Sequence, residues 1–216
     1  MEQIICLVMG YVFGLFQTGF IYGKSKGIDI RQHGSGNSGS TNALRVMGVK
    51  AGLIVFMGDF LKTVIPCFLV RILFRSQPGY IYVLILCAGF GVILGHNFPF
   101  YMNFKGGKGI AASSGVIFSL VFFDWKFLAL GIITFFVALA LTKYVSFSSL
   151  CLMTGFFLEM IIFGQLNMVH NLNQSEKIES YILVGIMMVL SYIRHKDNIK
   201  RLVNGTERKI GQKKEA

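Results

Sequence analysis

The sequence has few charged residues for a chain of its length. Only 14% of its 216 residues are Asp, Glu, Lys or Arg, whereas 54% are apolar and the mean hydropathy is +0.62. A water-soluble domain of ordinary composition carries about 25% charged residues. This shortage of charge excludes a soluble globule and is typical of an integral membrane protein.

Cysteine is also scarce, and its placement excludes the usual roles of this residue. The four cysteines lie inside apolar segments, without C-x-x-C spacing or neighbouring histidine clusters. They are interpreted as small apolar residues rather than as disulfide or metal sites. No cluster of carboxylates or imidazoles has the spacing of a metal site. We therefore expect no metal, no cofactor and no nucleic-acid partner.

What the sequence does contain is a series of long apolar segments. A helix needs about 20 apolar residues to cross a hydrocarbon core. An all-α, polytopic membrane domain over residues 1–216 is predicted, with seven transmembrane helices at 4–22, 52–73, 81–94, 110–123, 127–141, 150–168 and 181–193. The third, fourth, fifth and seventh segments are short, so they must borrow flanking residues or cross a thinned bilayer.

The basic residues predict the orientation of these segments. Glu2 stands where a signal peptide would be basic and no A-x-A pattern follows, so the first segment is expected to be retained. If the segments alternate in direction, 16 of the 21 Lys and Arg residues fall on one side and four on the other. The positive-inside rule then places the N-terminus outside and the C-terminus in the cytoplasm. The basic cytoplasmic tail at 208–216 would attract anionic headgroups without any further function.

The third cytoplasmic loop, GHNFPFYMNFKGGKG at 95–109, has the ingredients of a phosphate site. Gly106 and Gly107 are expected to bring backbone N–H groups within reach of a ligand, while Lys105 and Lys108 supply charge. A helix begins directly after the loop, so its N-terminal N–H groups face the same space. No Ser or Thr follows the lysine, which argues against a nucleotide-binding P-loop. The alternative is a structural glycine turn whose lysines set topology.

The first cytoplasmic loop contains RQHGSGNSGSTNALR at 31–45 and repeats these ingredients. Its glycines free the backbone, its hydroxyl and amide groups offer hydrogen bonds, and Arg45 can bind phosphate in a two-pronged contact. A flexible Gly/Ser linker is the alternative, but a linker has little use for Asn-Ala-Leu-Arg beside a membrane helix. Two such loops on one face predict two anionic groups, or one group held from both sides.

Two more segments belong to the same face, KYVSFSS at 143–149 and SYIRHKDNIKRLVNGTE at 191–207. If the seventh helix continues, Arg194, Asn198 and Arg201 lie along one side of it. His195 could act as a base or donate to phosphate, and a plain interfacial histidine is an equal alternative.

Three charged residues fall in the interior of the apolar segments, away from their ends. Asp59 and Lys62 are spaced i, i+3, and because intramembrane charges are costly we expect them to pair for a structural reason. Glu159 has no cation nearby in sequence, so its partner is not predicted.

Four motifs, taken together and in this order, resemble the bacterial acyl-phosphate-dependent glycerol-3-phosphate acyltransferases, the PlsY family. The motifs are GSGNSGSTNALRVMG, GHNFPFYMNFKGGKGIA, KYVSFSS and RHKDNIKRLVNGTE. The resemblance implies a seven-helix enzyme of the bacterial plasma membrane, with its active site facing the cytoplasm. Such an enzyme transfers a fatty acyl group from acyl phosphate to the sn-1 hydroxyl of glycerol 3-phosphate. Its products are lysophosphatidic acid and inorganic phosphate, in the first acylation step of phospholipid biosynthesis.

The resemblance also assigns site residues, position by position. It implies four catalytic residues, Ser35, Arg45, Lys105 and His195. It implies substrate-binding residues at Gly36, Asn37, Gly39, Thr41, Asn42, His96, Asn97, Gly106, Gly107, Lys108, Ser146, Ser149, Asn198, Arg201 and Glu207.

The chemistry expected of these residues is mainly positioning, because acyl phosphate already carries a good leaving group. Arg45, Lys105 or Lys108, His195 and Asn198 are expected to grip the phosphate of glycerol 3-phosphate. Ser35 and the 36–41 backbone would receive the acyl phosphate. The hydroxyl proton could pass to His195, to His96 or to the substrate's own phosphate, and the residues do not decide among them.

Two other classes of protein are less consistent with the sequence. The acyl-CoA-type acyltransferases share an H-x-x-x-x-D motif, and none of the four histidines here has an aspartate five residues on. A transporter of an organic phosphate remains as the alternative, but it would place polar groups near the bilayer midplane. Most of the candidate ligands here lie at one surface.

Overall fold

The structure is a computed structural model that describes residues 1–76, 80–169 and 172–212. Residues 213–216 of the predicted basic tail lie outside these ranges. The described residues form α-helices, short 3-10 turns and loops, without a strand. The α-helices are α1 (Glu2–Gly14), α2 (Thr18–Ser25), α3 (Ser40–Met47), α4 (Val49–Leu73), α5 (Ile81–Asn97), α6 (Ile110–Ser119), α7 (Lys126–Thr142), α8 (Val145–Gln165), α9 (Gln174–Arg194) and α10 (Lys196–Val203).

Each of the seven predicted segments is largely helical. The short third, fifth and seventh segments gain flanking residues and become helices of 17, 17 and 21 residues. The fourth remains short, since α6 has ten residues followed by a 3-10 turn. Among the residues that the structure describes, four stretches are long and apolar enough to cross a membrane: Glu2–Ser25, Val49–Leu73, Ile81–Met102 and Val145–Gln165. Seven crossings and the orientation stay predictions.

The first predicted segment is not one continuous helix. Gln17 leaves the helical conformation at φ −97° and ψ 88°, which separates α1 from α2. Its buried side-chain amide donates to the carbonyls of Gly14 at 3.2 Å and His96 at 3.0 Å. The Gly14 carbonyl lies in the last turn of α1, where carbonyls lack partners within the helix, and this side chain supplies a donor for it. A break of this kind depends on a contact with α5, so the apolar pattern of the segment does not show it.

Helices α1 and α5 approach closely because glycines line both sides of their contact. A Cβ on Gly10 would come within 2.0 Å of the Ala88 carbonyl oxygen, and one on Gly95 within 2.2 Å of the Tyr11 carbonyl oxygen. Small residues that are spaced four apart along each helix allow the backbones of membrane helices to come into contact in this way. Helix α5 is the buried centre of the bundle, with 15 of its 17 residues buried. It therefore holds His96, near its C-terminal end, in a fixed place.

Apolar side chains also cover the outside of the bundle. An exposed row follows one side of α4, at Leu53, Met57, Leu61, Ile65, Phe68 and Ile72. In water such a surface would be unfavourable, whereas hydrocarbon chains of lipids match it. The short helices α3 and α10 are far more polar than these long ones. They bring the polar motifs together at one end of the bundle.

Candidate active site

The four sequence motifs meet at one cavity. It lies among the 35–45 segment, α4, the end of α5, the start of α6, α7, α8, α10 and Glu207. The predicted site residues that line it are Ser35, Asn37, Gly39, Thr41, Asn42, Arg45, His96, Lys108, Ser146, Ser149, His195, Asn198, Arg201 and Glu207. Gly36, Asn97, Lys105, Gly106 and Gly107 are predicted site residues that do not line it.

The loop of the first motif is organised by Asn42. This buried side chain donates from Nδ2 to the carbonyls of Asn37 at 2.9 Å and His33 at 3.0 Å. Its Oδ1 accepts from the Ser35 N–H at 2.9 Å. A Cβ on Gly34, which has φ +64°, would come within 2.2 Å of that Oδ1. Both amide atoms of Asn42 are thus committed to shaping the loop that carries Ser35.

Residues 105–109 form the Gly-Lys loop. Its glycines do not have the role that the sequence suggests. The N–H groups of Gly106 and Gly107 donate to the carbonyls of Asn97 and His96, both at 3.1 Å. Arg194 donates in turn to the Gly106 and Gly107 carbonyls at 2.9 Å. The expectation that these N–H groups reach a ligand is therefore wrong, because backbone hydrogen bonds already occupy them. The glycines serve instead to let the loop lie directly on His96.

The contact between this loop and His96 leaves no room for a Cβ on either glycine. A Cβ on Gly106 would come within 2.0 Å of the His96 carbonyl oxygen, and one on Gly107 within 2.0 Å of His96 Nε2. Lys108 follows at the point where the loop meets the cavity, and the first residues of α6, Ile110 and Ala111, line it as well. The N-terminal N–H groups of α6 lack partners within their own helix, so they are free to bind an anion.

A network around Glu207 forms another part of the cavity wall. Its carboxylate accepts from Asn198 Nδ2 at 2.8 Å, Ser146 Oγ at 3.0 Å and Arg201 Nε at 2.7 Å. The Oδ1 of Asn198 faces the other way and accepts from Lys108 Nζ. Glu207 therefore links α8 to α10, and through Asn198 it positions the lysine of the Gly-Lys loop.

The charges of this wall favour an anion. Three cations, Arg45, Lys108 and Arg201, line the cavity together with the carboxylate of Glu207. Burial lowers the pKa of Lys108 to about 8, although Glu207 opposes the change. Burial alone would raise the pKa of Glu207, but hydrogen bonds from Arg201 and two other side chains hold it below its usual value. At neutral pH the wall thus has a net positive charge, which attracts phosphate.

His195 presents a neutral ring to this cavity. Burial and the neighbouring Lys108 ammonium lower the pKa of His195 to about 4. Its Nδ1 lies 2.8 Å from the Ser191 carbonyl oxygen, which can only accept, so the hydrogen of the neutral ring is on Nδ1. Nε2 is then unprotonated and can accept a hydrogen bond from a substrate hydroxyl.

A second group of polar residues lies behind His96 and was predicted only as a structural ion pair. Lys62 Nζ lies 2.9 Å from Asp59 Oδ1 and 2.8 Å from His96 Nδ1, and Thr18 also donates to Asp59 at 3.0 Å. The pairing of Asp59 with Lys62 is confirmed, and Asp59 additionally lines the cavity. The i, i+3 spacing indicated the pair, whereas its contact with His96 depends on the packing of α4 against α5.

Apolar residues complete the cavity and were missed by the sequence reasoning. Phe56 of α4, Ile110 of α6, Phe135 of α7 and Val145 of α8 lie on its wall. In sequence they are single apolar residues within apolar helices, so no pattern distinguishes them from lipid-facing neighbours. They add apolar surface to a cavity that is also lined by cations.

Two predicted site residues have other positions. Lys105 is exposed beside the cavity and does not line it. Asn97 is fully buried beneath Gly109, and its side-chain amide has no hydrogen-bond partner among the described residues. Within the described residues no three His, Cys, Asp or Glu side chains form a group that could hold a metal ion.

Comparison with known proteins decides the family. A family model described as glycerol-3-phosphate acyltransferase matches residues 4–205. The chain belongs to the glycerol-3-phosphate acyltransferase family. The glycerol-3-phosphate acyltransferase of Alkaliphilus metalliredigens (strain QYMF) is 40% identical, over 99% of this chain and 98% of that relative. The enzyme of the same name from Bacillus subtilis (strain 168) is 38% identical, over 95% of this chain and 96% of its own length.

Two solved structures of an acyltransferase of this family share the fold. The chain resembles PlsY (YgiH), an integral membrane glycerol 3-phosphate acyltransferase, in its glycerol 3-phosphate form with 28% identity and a TM-score of 0.83. The lysophosphatidic acid form of that protein gives 28% identity and a TM-score of 0.80. Both likenesses cover 98% of this chain and 96% of the other. This glycerol-3-phosphate acyltransferase family member is therefore a helical membrane protein of the PlsY type.

Proposed function

We propose that this chain transfers a fatty acyl group from acyl phosphate to the sn-1 hydroxyl of glycerol 3-phosphate. The products are lysophosphatidic acid and inorganic phosphate. The observation that carries the proposal is the meeting of all four motifs at one cavity that is lined by both cations and apolar side chains. A soluble phosphate ester needs the cations, and an acyl chain needs the apolar side chains.

The phosphate of glycerol 3-phosphate is assigned to the cationic wall. Arg45 offers a planar guanidinium with several N–H donors, and Lys108 offers an ammonium. Asn198 uses both ends of its amide on Lys108 and Glu207, so it positions the lysine rather than holding phosphate itself. This refines the expectation from the sequence, in which Asn198 touched the substrate directly.

The acyl phosphate is assigned to the remaining part of the cavity lining. Its phosphate would lie between the Ser35 loop and the N-terminus of α6, where backbone N–H groups are free of helical partners. Its acyl chain would follow Phe56 and Phe135 toward the lipid. In this arrangement one substrate enters from the bilayer and the other from water.

The reaction balances with the groups that these substrates bring. The hydroxyl oxygen of glycerol 3-phosphate attacks the acyl carbonyl carbon, and the bond from that carbon to the phosphate oxygen breaks. The hydroxyl proton leaves as the ester forms and ends on the released phosphate, as monohydrogen phosphate. His195 Nε2, which carries a lone pair, accepts a hydrogen bond from the attacking hydroxyl and orients it. Positioning two anions against their repulsion supplies most of the catalysis.

The location follows from the same proposal. By the positive-inside rule, the basic residues at the polar end of the bundle support a location of this cavity at the cytoplasmic face of the bacterial plasma membrane. Acylation of glycerol 3-phosphate at that face is the first acylation step of phospholipid biosynthesis.

Purified protein in detergent or nanodiscs tests the proposal directly. With acyl phosphate and glycerol 3-phosphate, we expect lysophosphatidic acid and phosphate in equal amounts, and an Arg45→Ala variant with a much higher KM for glycerol 3-phosphate. Lys50→Ala, which removes an exposed cation from the start of α4, is the matched control. Absence of both products would overturn the proposal. Uptake of glycerol 3-phosphate into vesicles without acylation would support the transporter instead.

A further inference from the structure

We propose that the buried Asp59–Lys62 pair fixes the ring of His96 so that it presents Nε2–H to a substrate phosphate. From the sequence, His96 is one of three possible acceptors for the hydroxyl proton. The structure assigns it the opposite role, that of a hydrogen-bond donor. The inference deepens the proposed acyl transfer and rests on it only for the identity of the phosphate.

The contacts of Lys62 determine the state of the ring. Its Nζ lies 2.6 Å from the Phe16 carbonyl oxygen, 2.9 Å from Asp59 Oδ1 and 2.8 Å from His96 Nδ1. An ammonium has three hydrogens and no lone pair, so these three contacts use all of its donors. His96 Nδ1 must then be an acceptor, and the hydrogen of the neutral ring lies on Nε2.

The charge of Lys62 follows from Asp59. Both side chains are nearly fully buried, and Asp59 receives another hydrogen bond, of 3.0 Å, from Thr18 Oγ1. A carboxylate in this place without a cation would be strongly destabilised, so the pair is stable as an ammonium beside a carboxylate. The ammonium also prevents His96 from taking up a proton at Nδ1, because two N–H groups would then face each other. His96 is therefore not the general base.

The position of Nε2 makes its hydrogen available to a ligand. The ring lines the cavity, and Nε2 lies where a side chain on Gly107 would be, at the edge of the Gly-Lys loop. The N–H groups of Gly106 and Gly107 are already bonded to the carbonyls of residues 96 and 97. His96 Nε2–H and the Lys108 ammonium are thus two side-chain donors in the cavity lining that can bind a phosphate oxygen. Lys62 and Asp59 are positioning residues that act through His96.

Ring ¹⁵N spectra of histidine-labelled protein test the inference without any catalytic assay. The signals of His96 are identified by their absence from the spectrum of His96→Gln. For the wild-type protein we expect a neutral His96 ring with hydrogen on Nε2 and an unprotonated Nδ1. Addition of inorganic phosphate should shift the Nε2–H signal. The double variant Asp59→Asn/Lys62→Met removes both charges together, so no buried charge is left unpaired, and the fixed tautomer should be lost. Hydrogen on Nδ1 in the wild-type protein would overturn the proposal.

Kinetics of the same variants separate positioning from a merely structural role. KM is measured for glycerol 3-phosphate and for acyl phosphate in turn, per mole of folded protein. We expect the double variant to raise one KM at least about tenfold, the effect of losing a hydrogen bond to a charged group. The affected substrate then identifies the phosphate that His96 contacts. Glu159→Gln is the control, since Glu159 is also an intramembrane carboxylate but does not line the cavity. Two unchanged KM values would contradict the inference.

The two proposals can fail separately. Wild-type protein that makes no lysophosphatidic acid would refute the acyl transfer, while the spectra would still report the tautomer of His96 and its response to phosphate. Active wild-type protein with hydrogen on Nδ1 would refute only the role given to Lys62 and Asp59.

Discussion

Glu207 accepts a 2.8 Å hydrogen bond from the side-chain amide of Asn198, nine residues before it in the chain. The amide is thereby held with its oxygen toward Lys108. A carboxylate in a site for anions would normally weaken binding, because like charges repel. Here it acts on donors rather than on the substrate, and it connects α8, α10 and the Gly-Lys loop.

Removing this carboxylate should damage both stability and activity. Glu207→Ala leaves the donors of Ser146, Asn198 and Arg201 without their common acceptor. Solvent screens the ion pair because the Arg201 side chain is 41% exposed, but Ser146 and Asn198 are buried, and a buried donor without a partner costs about 1–3 kcal/mol. We expect a lower midpoint of thermal unfolding in detergent and a large loss of acyltransferase activity, with a milder effect for Glu207→Gln. Asp197→Asn, which changes an exposed carboxylate of α10, is the control and should match the wild type. Equal stability of all variants would contradict this role.

Asn42 should behave as a residue that shapes its loop rather than one that binds substrate. Its Nδ2 holds the carbonyls of Asn37 and His33, and its Oδ1 holds the Ser35 N–H. Asn42→Ala would release all three, so we expect a higher KM for acyl phosphate and faster cleavage by trypsin after Arg31. Limited proteolysis followed by mass spectrometry measures the second effect. A raised KM without faster cleavage would instead show that Asn42 contacts the substrate directly.

The sequence predicts much of this fold because its signals are local. The lengths of the apolar runs predict seven segments, and each is largely helical in the structure. An anion site is indicated by the residue types of the Ser35 loop, the Gly-Lys loop and the 194–207 segment. What the sequence does not reveal are contacts between distant segments. Gln17 breaks the first helix through a hydrogen bond to the carbonyl of residue 96, and the glycines of the Gly-Lys loop lose their N–H groups to backbone carbonyls. Both depend on how α1, α5 and the loop pack together.

The choice between Lys105 and Lys108 can be made by mutation. Lys108 lines the cavity and donates to Asn198, whereas Lys105 is exposed three residues earlier. Loss of a charged hydrogen-bonding group costs about 1.5–3 kcal/mol, so Lys108→Ala should reduce kcat/KM at least about tenfold. Lys105→Ala should change it little, because the group stays in solvent. Initial rates at varied glycerol 3-phosphate measure both effects, and an equal loss in the two variants would refute the assignment.

The activity should decline in alkali as Lys108 loses its charge. Burial lowers its pKa from the ordinary 10.5 to about 8, so the ammonium is present below that pH and neutralises above it. We expect kcat/KM, which reports the free enzyme, to fall above about pH 8 as the cavity attracts phosphate less strongly. The fall of kcat/KM is not expected to come from unfolding caused by deprotonation of Lys108. The unfolded chain binds the proton more tightly between pH 8 and 10.5, so the contribution of Lys108 to stability rises with pH in that range.

Lys108→Arg tests whether deprotonation of Lys108 causes the alkaline limb, the fall of kcat/KM above about pH 8. An arginine keeps its charge throughout this range, so the decline should move to higher pH even if the planar guanidinium fits the site less well and the maximum is lower. The measurement is kcat/KM for glycerol 3-phosphate from pH 6 to about pH 10, with Lys105→Arg as the matched control because that ammonium lies outside the cavity. If the alkaline limb of Lys108→Arg coincides with that of the wild type, another group controls it.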